Sequence, residues 1–237
     1  MLNTLLIYIR KFLRFTKINK LLVIILYLFR DKDYYENSFR DKMLGNIKKD
    51  DCLWDIGANV GLYTKLFSSC LNNNSTIYAF EPSKENLVRL NSNLKEYKNV
   101  KIVPFGLNKK NEKVQMMQSA DEFGASSQII TNDLNYIDDS KLFTINTYSG
   151  DYLVKEKNFI PPNFIKLDVE GYEYDVITGL INQLKSKDLR VICIELHFEI
   201  VAKRGFADHP NLIIKLLKKN NFKVSWTDYS HIIATKI

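Results

Sequence analysis

The chain has 237 residues, 46% of them hydrophobic and 26% charged, with a formal net charge of +7. This is an ordinary globular composition, able to bury one sizeable core or a core with an appendage. Its three cysteines, Cys52, Cys70 and Cys193, lie in apolar segments, odd in number and at no metal-binding spacing. That excludes a disulfide framework and favours a reducing, cytoplasmic setting.

The charge is not spread over the chain. Residues 1–30 contain Arg10, Lys11, Arg14, Lys17, Lys20 and Arg30 and no acid, so +6 of the +7 lies there. A nucleic-acid enzyme would more often carry its basic patch on the fold that presents the site. In the same arm Leu5, Tyr8, Ile9, Phe12 and Phe15 share one helical face, and a nine-residue apolar run, Leu21 to Phe29, follows. Nine residues are too few to cross a hydrocarbon core that takes about 20. No small-residue cleavage site follows, as a secretory signal would need. Two readings stay open: an interfacial helix on an anionic inner membrane surface, or a helix packed on the domain or on a second subunit. The expected organisation is a basic apolar arm over 1–45 and one domain over 46–237.

From Asp50 onward, short β-branched runs alternate with polar, helix-compatible stretches. The apolar runs are CLWDIG, TIYAFEP, VKIVPFG, NFIKLDVEG and VICIELHF, with helices expected over 62–71, 83–97 and 172–185. This alternation predicts an α/β fold with a mainly parallel, doubly wound sheet. Residues 118–140 are polar and without periodicity, which predicts a long loop. The final stretch, NFKVSWTDYSHIIATKI, reads as two antiparallel strands joined by a turn around Asp228 to Ser230.

The first strand runs into LWDIGANVGLYT, residues 53–64. Gly57 permits a tight turn, and Gly61 allows close packing of helix on strand. A helix N-terminus beyond such a loop favours a phosphate or a carboxylate. Asp55, two residues before Gly57, would repel a pyrophosphate but suits the ammonium of an amino acid. Twenty residues past Gly61, Glu81 ends the next strand, where an acid can accept both hydroxyls of a ribose. Together Asp55, Gly57, Gly61 and Glu81 describe an adenosyl ligand with an amino-acid tail, S-adenosylmethionine.

With these residues, three later matches resemble the FkbM family of S-adenosylmethionine-dependent methyltransferases: NVKIVPFGLNKKNEKV (99–114), GASS (124–127), and FIKLDVEGYEYDVITG (164–179) followed by VICIELH. The resemblance covers about residues 50–200, and K-x-D-V-E-G is its most distinctive element. It implies a Rossmann-like methyltransferase fold and O-methylation of a sugar, glycan or glycolipid hydroxyl. It places Asp55, Gly57, Asn59 and Gly61 around the methionine part of the cofactor, Glu81 at the ribose and Asn108 near the adenine. The stretch TYSGDYL (147–153) departs from the usual pattern, which shows a leucine before its acid.

In open α/β sheets, ligands lie outside the carboxyl ends of the strands. IKLDVEG puts Asp168 and Glu170 there, on one side if the chain is extended, and CIELHF brings Glu195 and His197 beside them. Such a group suits a general base for a sugar hydroxyl or a divalent cation that orients a diol. His197 has an intrinsic pKa suited to a base. Asp168 or Glu170 could instead cap the next helix. Rival activities are a nucleic-acid or small-molecule methyltransferase and an NAD-dependent oxidoreductase, the last opposed by Asp55 and by the missing middle glycine.

Overall fold

A computed structural model describes residues 32–117, 128–129 and 142–237. The expectations for the arm over 1–30 and for GASS fall outside the described residues. The first described element is helix α1 (Lys32–Leu44), followed by β1 (Leu53–Ile56), α2 (Leu62–Cys70), β2 (Ile77–Phe80), α3 (Lys84–Leu94) and β3 (Val100–Val103). After them come β4 (Gly106–Leu107), β5 (Glu112–Met117), β6 (Gln128–Ile129), β7 (Leu142–Tyr148), α4 (Gly150–Glu156) and β8 (Phe164–Leu167). The chain finishes with α5 (Glu173–Thr178), α6 (Ile181–Lys185), β9 (Val191–Glu195), α7 (Phe198–Lys203), α8 (His209–Lys219), β10 (Phe222–Trp226) and β11 (His231–Lys236).

Seven strands form one sheet in the order β10-β11-β9-β8-β1-β2-β3. The pairs from β9 through β3 are parallel, and β11 runs antiparallel to both β9 and β10. The predicted parallel sheet with an antiparallel carboxyl-terminal pair is therefore present. Every residue of β1, β2 and β8 is buried, as expected of strands covered on both faces. The strand order reverses at β1, with β2 and β3 on one side and β8 and β9 on the other, and this switch point opens a crevice at the carboxyl ends.

Three features depart from the sequence expectations. VKIVPFG does not stay in one strand, because Gly106 and Leu107 leave to join a second sheet, β4-β7-β5-β6. Residues 118–140 are not loop throughout: Gln128 and Ile129 pair with Met117 and Met116. The helix expected over 172–185 is broken at Gly179 and Leu180 into α5 and α6. At Gly179 a side chain would collide with the Asn108 carbonyl, 2.2 Å from the Cβ position, so the backbone runs too close there for an uninterrupted helix of ordinary residues.

Packing divides between the two sheet faces. One cluster contains Trp54, Phe80, Ile165, Val176, Ile194 and Phe222, and Trp54 donates its indole N–H to the Ile160 carbonyl at 3.1 Å. The other contains Phe39 and Met43 of α1 together with Leu53, Phe67, Phe164, Val191 and Ile233, so α1 is part of the folded core. Among the described residues no helix is long and apolar enough to cross a membrane.

Candidate active site

The loop after β1 bends through three left-handed residues, Gly57 (φ 82°), Asn59 (φ 51°) and Gly61 (φ 87°). Asparagine tolerates this region better than most side chains. At Gly57 a Cβ would lie 1.8 Å from the Asp168 carbonyl oxygen, so only glycine lets the loop of β1 touch the chain leaving β8. Gly61 works differently from the expectation. Its missing Cβ makes room for Leu90 and Leu94, so the close packing is on helix α3 rather than on a strand.

Glu81 is buried at the end of β2, and its carboxylate is held by the loop itself. The backbone N–H of Asn59 donates to one oxygen at 3.0 Å and that of Ser83 to the other at 2.8 Å. Burial raises its pKa, and these two N–H groups with the Asn86 side chain oppose the rise. Each oxygen keeps lone-pair capacity for a further donor. Asp55 is fully buried within β1; its Oδ2 accepts from Thr64 Oγ1 at 2.6 Å. Its Oδ1 and the Oδ1 of Asn59 are buried without a hydrogen bond among the described residues.

Sequence reasoning passed over Lys166, although a lysine within the apolar strand FIKL was the available signal. Its ammonium is buried, 3.0 Å from the Gly57 carbonyl, 3.3 Å from Asp168 Oδ2 and 3.6 Å from Asp55 Oδ1. Burial by itself would lower its pKa, but Asp168 and Asp55 outweigh that and hold it above the ordinary lysine value. For Asp168 the balance is the converse. Burial favours its neutral form, and Lys166 and His197 overcome this to keep its carboxyl below the usual range.

Asp168, Glu170 and His197 do converge, but not through an extended strand. β8 ends at Leu167, and Glu170 adopts a left-handed conformation at φ 51°, which turns its side chain back toward the rim. His197 Nε2 lies 3.4 Å from Glu170 Oε2, 3.6 Å from Asp168 Oδ1 and 4.0 Å from Glu195 Oε1. Its Nδ1 lies 2.7 Å from Oε1 of the buried Glu173, an oxygen that also accepts the Gly171 N–H. Neither Asp168 nor Glu170 caps α5, whose start has no side-chain cap; Glu173 accepts the buried N–H of Gly171 just before it.

Burial raises the Glu170 carboxyl to about 7, opposed by His197 and assisted by Asp168, Glu195 and Glu173. Burial would lower His197, but the hydrogen bond and charge of Glu173, together with Glu170 and Asp168, raise it to about 9. Its intrinsic pKa therefore does not describe it here: the imidazole is a cation at neutral pH. A second histidine extends the network. His231 Nδ1 lies 2.9 Å from both oxygens of the buried Asp228, and its Nε2 lies 3.3 Å from Glu195 Oε2.

Part of this network borders one cleft of about 760 Å³, including its open mouth, while His197, Glu195 and His231 lie outside its lining. Gly57, Asn59, Glu81, Asp168 and Glu170 line it, as do Leu107, Met116, Ile145 and Thr147. The second sheet thus supplies an apolar wall opposite the carboxylates. Asn108 is not among the lining residues. Its amide nitrogen donates to Glu112 and its oxygen accepts the Lys109 N–H, so this side chain is committed within the second sheet.

The model of the Methyltransferase FkbM domain matches residues 55–224, most of the chain and every residue of the cleft. The chain belongs to the FkbM methyltransferase family. It is 31% identical over 157 residues to the hexuronic acid methyltransferase AglP of Haloferax volcanii, covering 65% of this chain and 59% of AglP. The structure of methyltransferase FkbM from Methylobacillus flagellatus superposes with a TM-score of 0.55 at 14% identity, over 86% of this chain and half of that one. SMU.1697c of Streptococcus mutans, solved in complex with SAH, superposes at 0.51 with 13% identity, over 84% of this chain and 95% of that one. The FkbM chain described here thus spans three fifths of its curated relative, and the solved structures share its Rossmann-like fold.

Proposed function

We propose that this protein is an S-adenosylmethionine-dependent O-methyltransferase acting on a hydroxyl of a sugar, glycan or glycolipid. The observation that carries the reading is the convergence, on one cleft, of a ribose-type acceptor, Glu81, with a carboxylate pair, Asp168 and Glu170. The cleft suits the cofactor in one further respect: Asn59 offers a buried, unpaired oxygen. Glu81 would hold the ribose hydroxyls, and Asn59 and the glycine loop the methionyl end, with the buried Asp55 beneath the loop rather than in the cleft. Leu107, Met116 and Ile145 would cover the adenine in place of Asn108.

When bound, S-adenosylmethionine would supply an electrophilic methyl group. A sugar hydroxyl is a weak nucleophile, and Glu170 Oε2 would take its proton. A carboxyl with a pKa of about 7 is well matched to that task at neutral pH. Asp168, kept ionised by Lys166, would accept a hydrogen bond from the sugar. Cationic His197, anchored by Glu173, would hold both carboxylates in place. The sugar acceptor is supported by the similarity to AglP.

A second reading is favoured by one distance. Ligand atoms of Asp168, Glu170 and His197 lie within 4.8 Å of one another, and Glu173 orients the imidazole from behind, as carboxylates behind metal-bound histidines do. These three would then hold a divalent cation against the acceptor diol.

The test is methyl transfer from labelled S-adenosylmethionine to a panel of uronic-acid and neutral glycans, with and without chelator. Labelling of a glycan that survives chelation is expected. Activity lost to chelator and restored by magnesium or manganese would replace the base with the cation. No labelling of any glycan by a protein that binds adenosylhomocysteine would overturn the acceptor class.

A further inference from the structure

We infer that the carboxyl rim of the sheet, the edge bearing the cleft, faces an anionic bilayer, so that the acceptor is a lipid-linked glycan. The orientation stands on the direction of α1 and the charge of the residues that precede it; the acceptor class rests on the function proposed above. The direction of α1 is the first observation. The rings of Phe39 and His231 pack with centroids 4.2 Å apart, tilted by 30°, and His231 pairs in register with Glu195, the last residue of β9. Phe39 is therefore level with the rim. Beyond Leu44 the chain turns tightly, the Ile47 N–H donating to the Leu44 carbonyl, and reaches the amino edge, where Asp51 pairs with Arg190 just before β9 and Ser75 bonds the Lys49 carbonyl just before β2. At 1.5 Å per residue, Lys32 lies about 10 Å beyond Phe39 on the rim side. Residues 1–31 thus join the domain at the cleft edge.

Those residues carry the +6 without an acid in the first thirty, together with the apolar run Leu21 to Phe29. The second observation is the surface beside the glycine loop. Val60, Leu62, Val88 and Arg89 border a shallow groove there, and Leu62 and Val88 are 68% and 72% exposed. Two exposed apolar side chains, on the same rim as the attachment of a basic apolar segment, complement an anionic headgroup layer over an apolar interior.

The experiment uses the full chain with Cys70→Ser and one fluorophore, on Val88→Cys beside the cleft or on Lys187→Cys near the amino edge. Both should float with phosphatidylglycerol vesicles at 0.1 M salt and not with phosphatidylcholine. The bound fraction should fall about tenfold at 1 M salt, where the screening length drops from about 10 Å to about 3 Å. Lipid-borne quencher should quench the probe at 88 and spare the probe at 187. A chain that does not float, or floats with the probe at 187 quenched or with neither quenched, overturns the orientation. Melting shifts with adenosylhomocysteine on the same samples report the cofactor reading separately, so either can fail alone.

Discussion

The ammonium of Lys166 lies 3.0 Å from the carbonyl oxygen of Gly57, joining the strand that leads to the carboxyl rim to the loop proposed to hold the cofactor. The same ammonium faces Asp55 and Asp168, so one buried cation balances two carboxylates of different strands.

Lys166→Met should therefore destabilise the fold by about 3–5 kcal/mol, the cost of leaving a buried charge without its partner. Urea unfolding measures this. A loss below about 1 kcal/mol would mean that Asp55 and Asp168 do not depend on Lys166.

Glu81→Gln should weaken adenosylhomocysteine binding by about 1–3 kcal/mol, the range for hydrogen bonds to a charged acceptor. Glu81→Ala should also lower the melting temperature, because the N–H groups of Asn59 and Ser83 lose their acceptor. Titration calorimetry giving unchanged affinity for folded Glu81→Gln would remove this residue from the cofactor site.

Glu170→Gln should reduce turnover by about 10²–10⁴-fold with little change in cofactor affinity, as loss of a general base does. Asp168→Asn should also reduce turnover, and it also weakens the Lys166 contact. Normal single-turnover rates in both variants would make the rim structural.

His231 should make stability depend on pH. Burial opposes its charge, yet Asp228 and Glu195 raise its pKa from 6.5 to about 9. A raised folded-state value stabilises fully below about 6.5, and the benefit is lost as pH climbs through 9. At about 1.4 kcal/mol per unit, the whole effect is at most about 3.5 kcal/mol. Compared with the unmodified protein, His231→Gln should be less stable at pH 6 and lose that deficit by pH 10. A deficit independent of pH would show that the ring acts through its packing on Phe39 instead.

Local and periodic features were legible without coordinates. The alternation of apolar strands with helical stretches predicts the parallel sheet, because a strand buried on both faces must be apolar throughout. Gly57, Gly61 and Glu81 were legible because a tight loop and a strand end are short-range features. Asp168, Glu170 and His197 were placed at the rim because strand ends define it, although the turn at Glu170 that brings them together was not foreseen. The second sheet escaped because β4 and β6 have two residues each, too few for a period.

The residue chemistry of the active-site rim is set by tertiary contact. Lys166 reaches Gly57 across 109 residues, and Glu173 reaches His197 across 24. No local pattern encodes such meetings, and they decide the charge of each group, since a buried charge is governed by the partner it meets rather than by its intrinsic pKa. Sequence by itself determined the strands of the main sheet and which acids lie at their carboxyl ends. The packing of β1, β8 and β9 decided which carboxylate stays ionised, which lies near neutrality and which imidazole carries a proton.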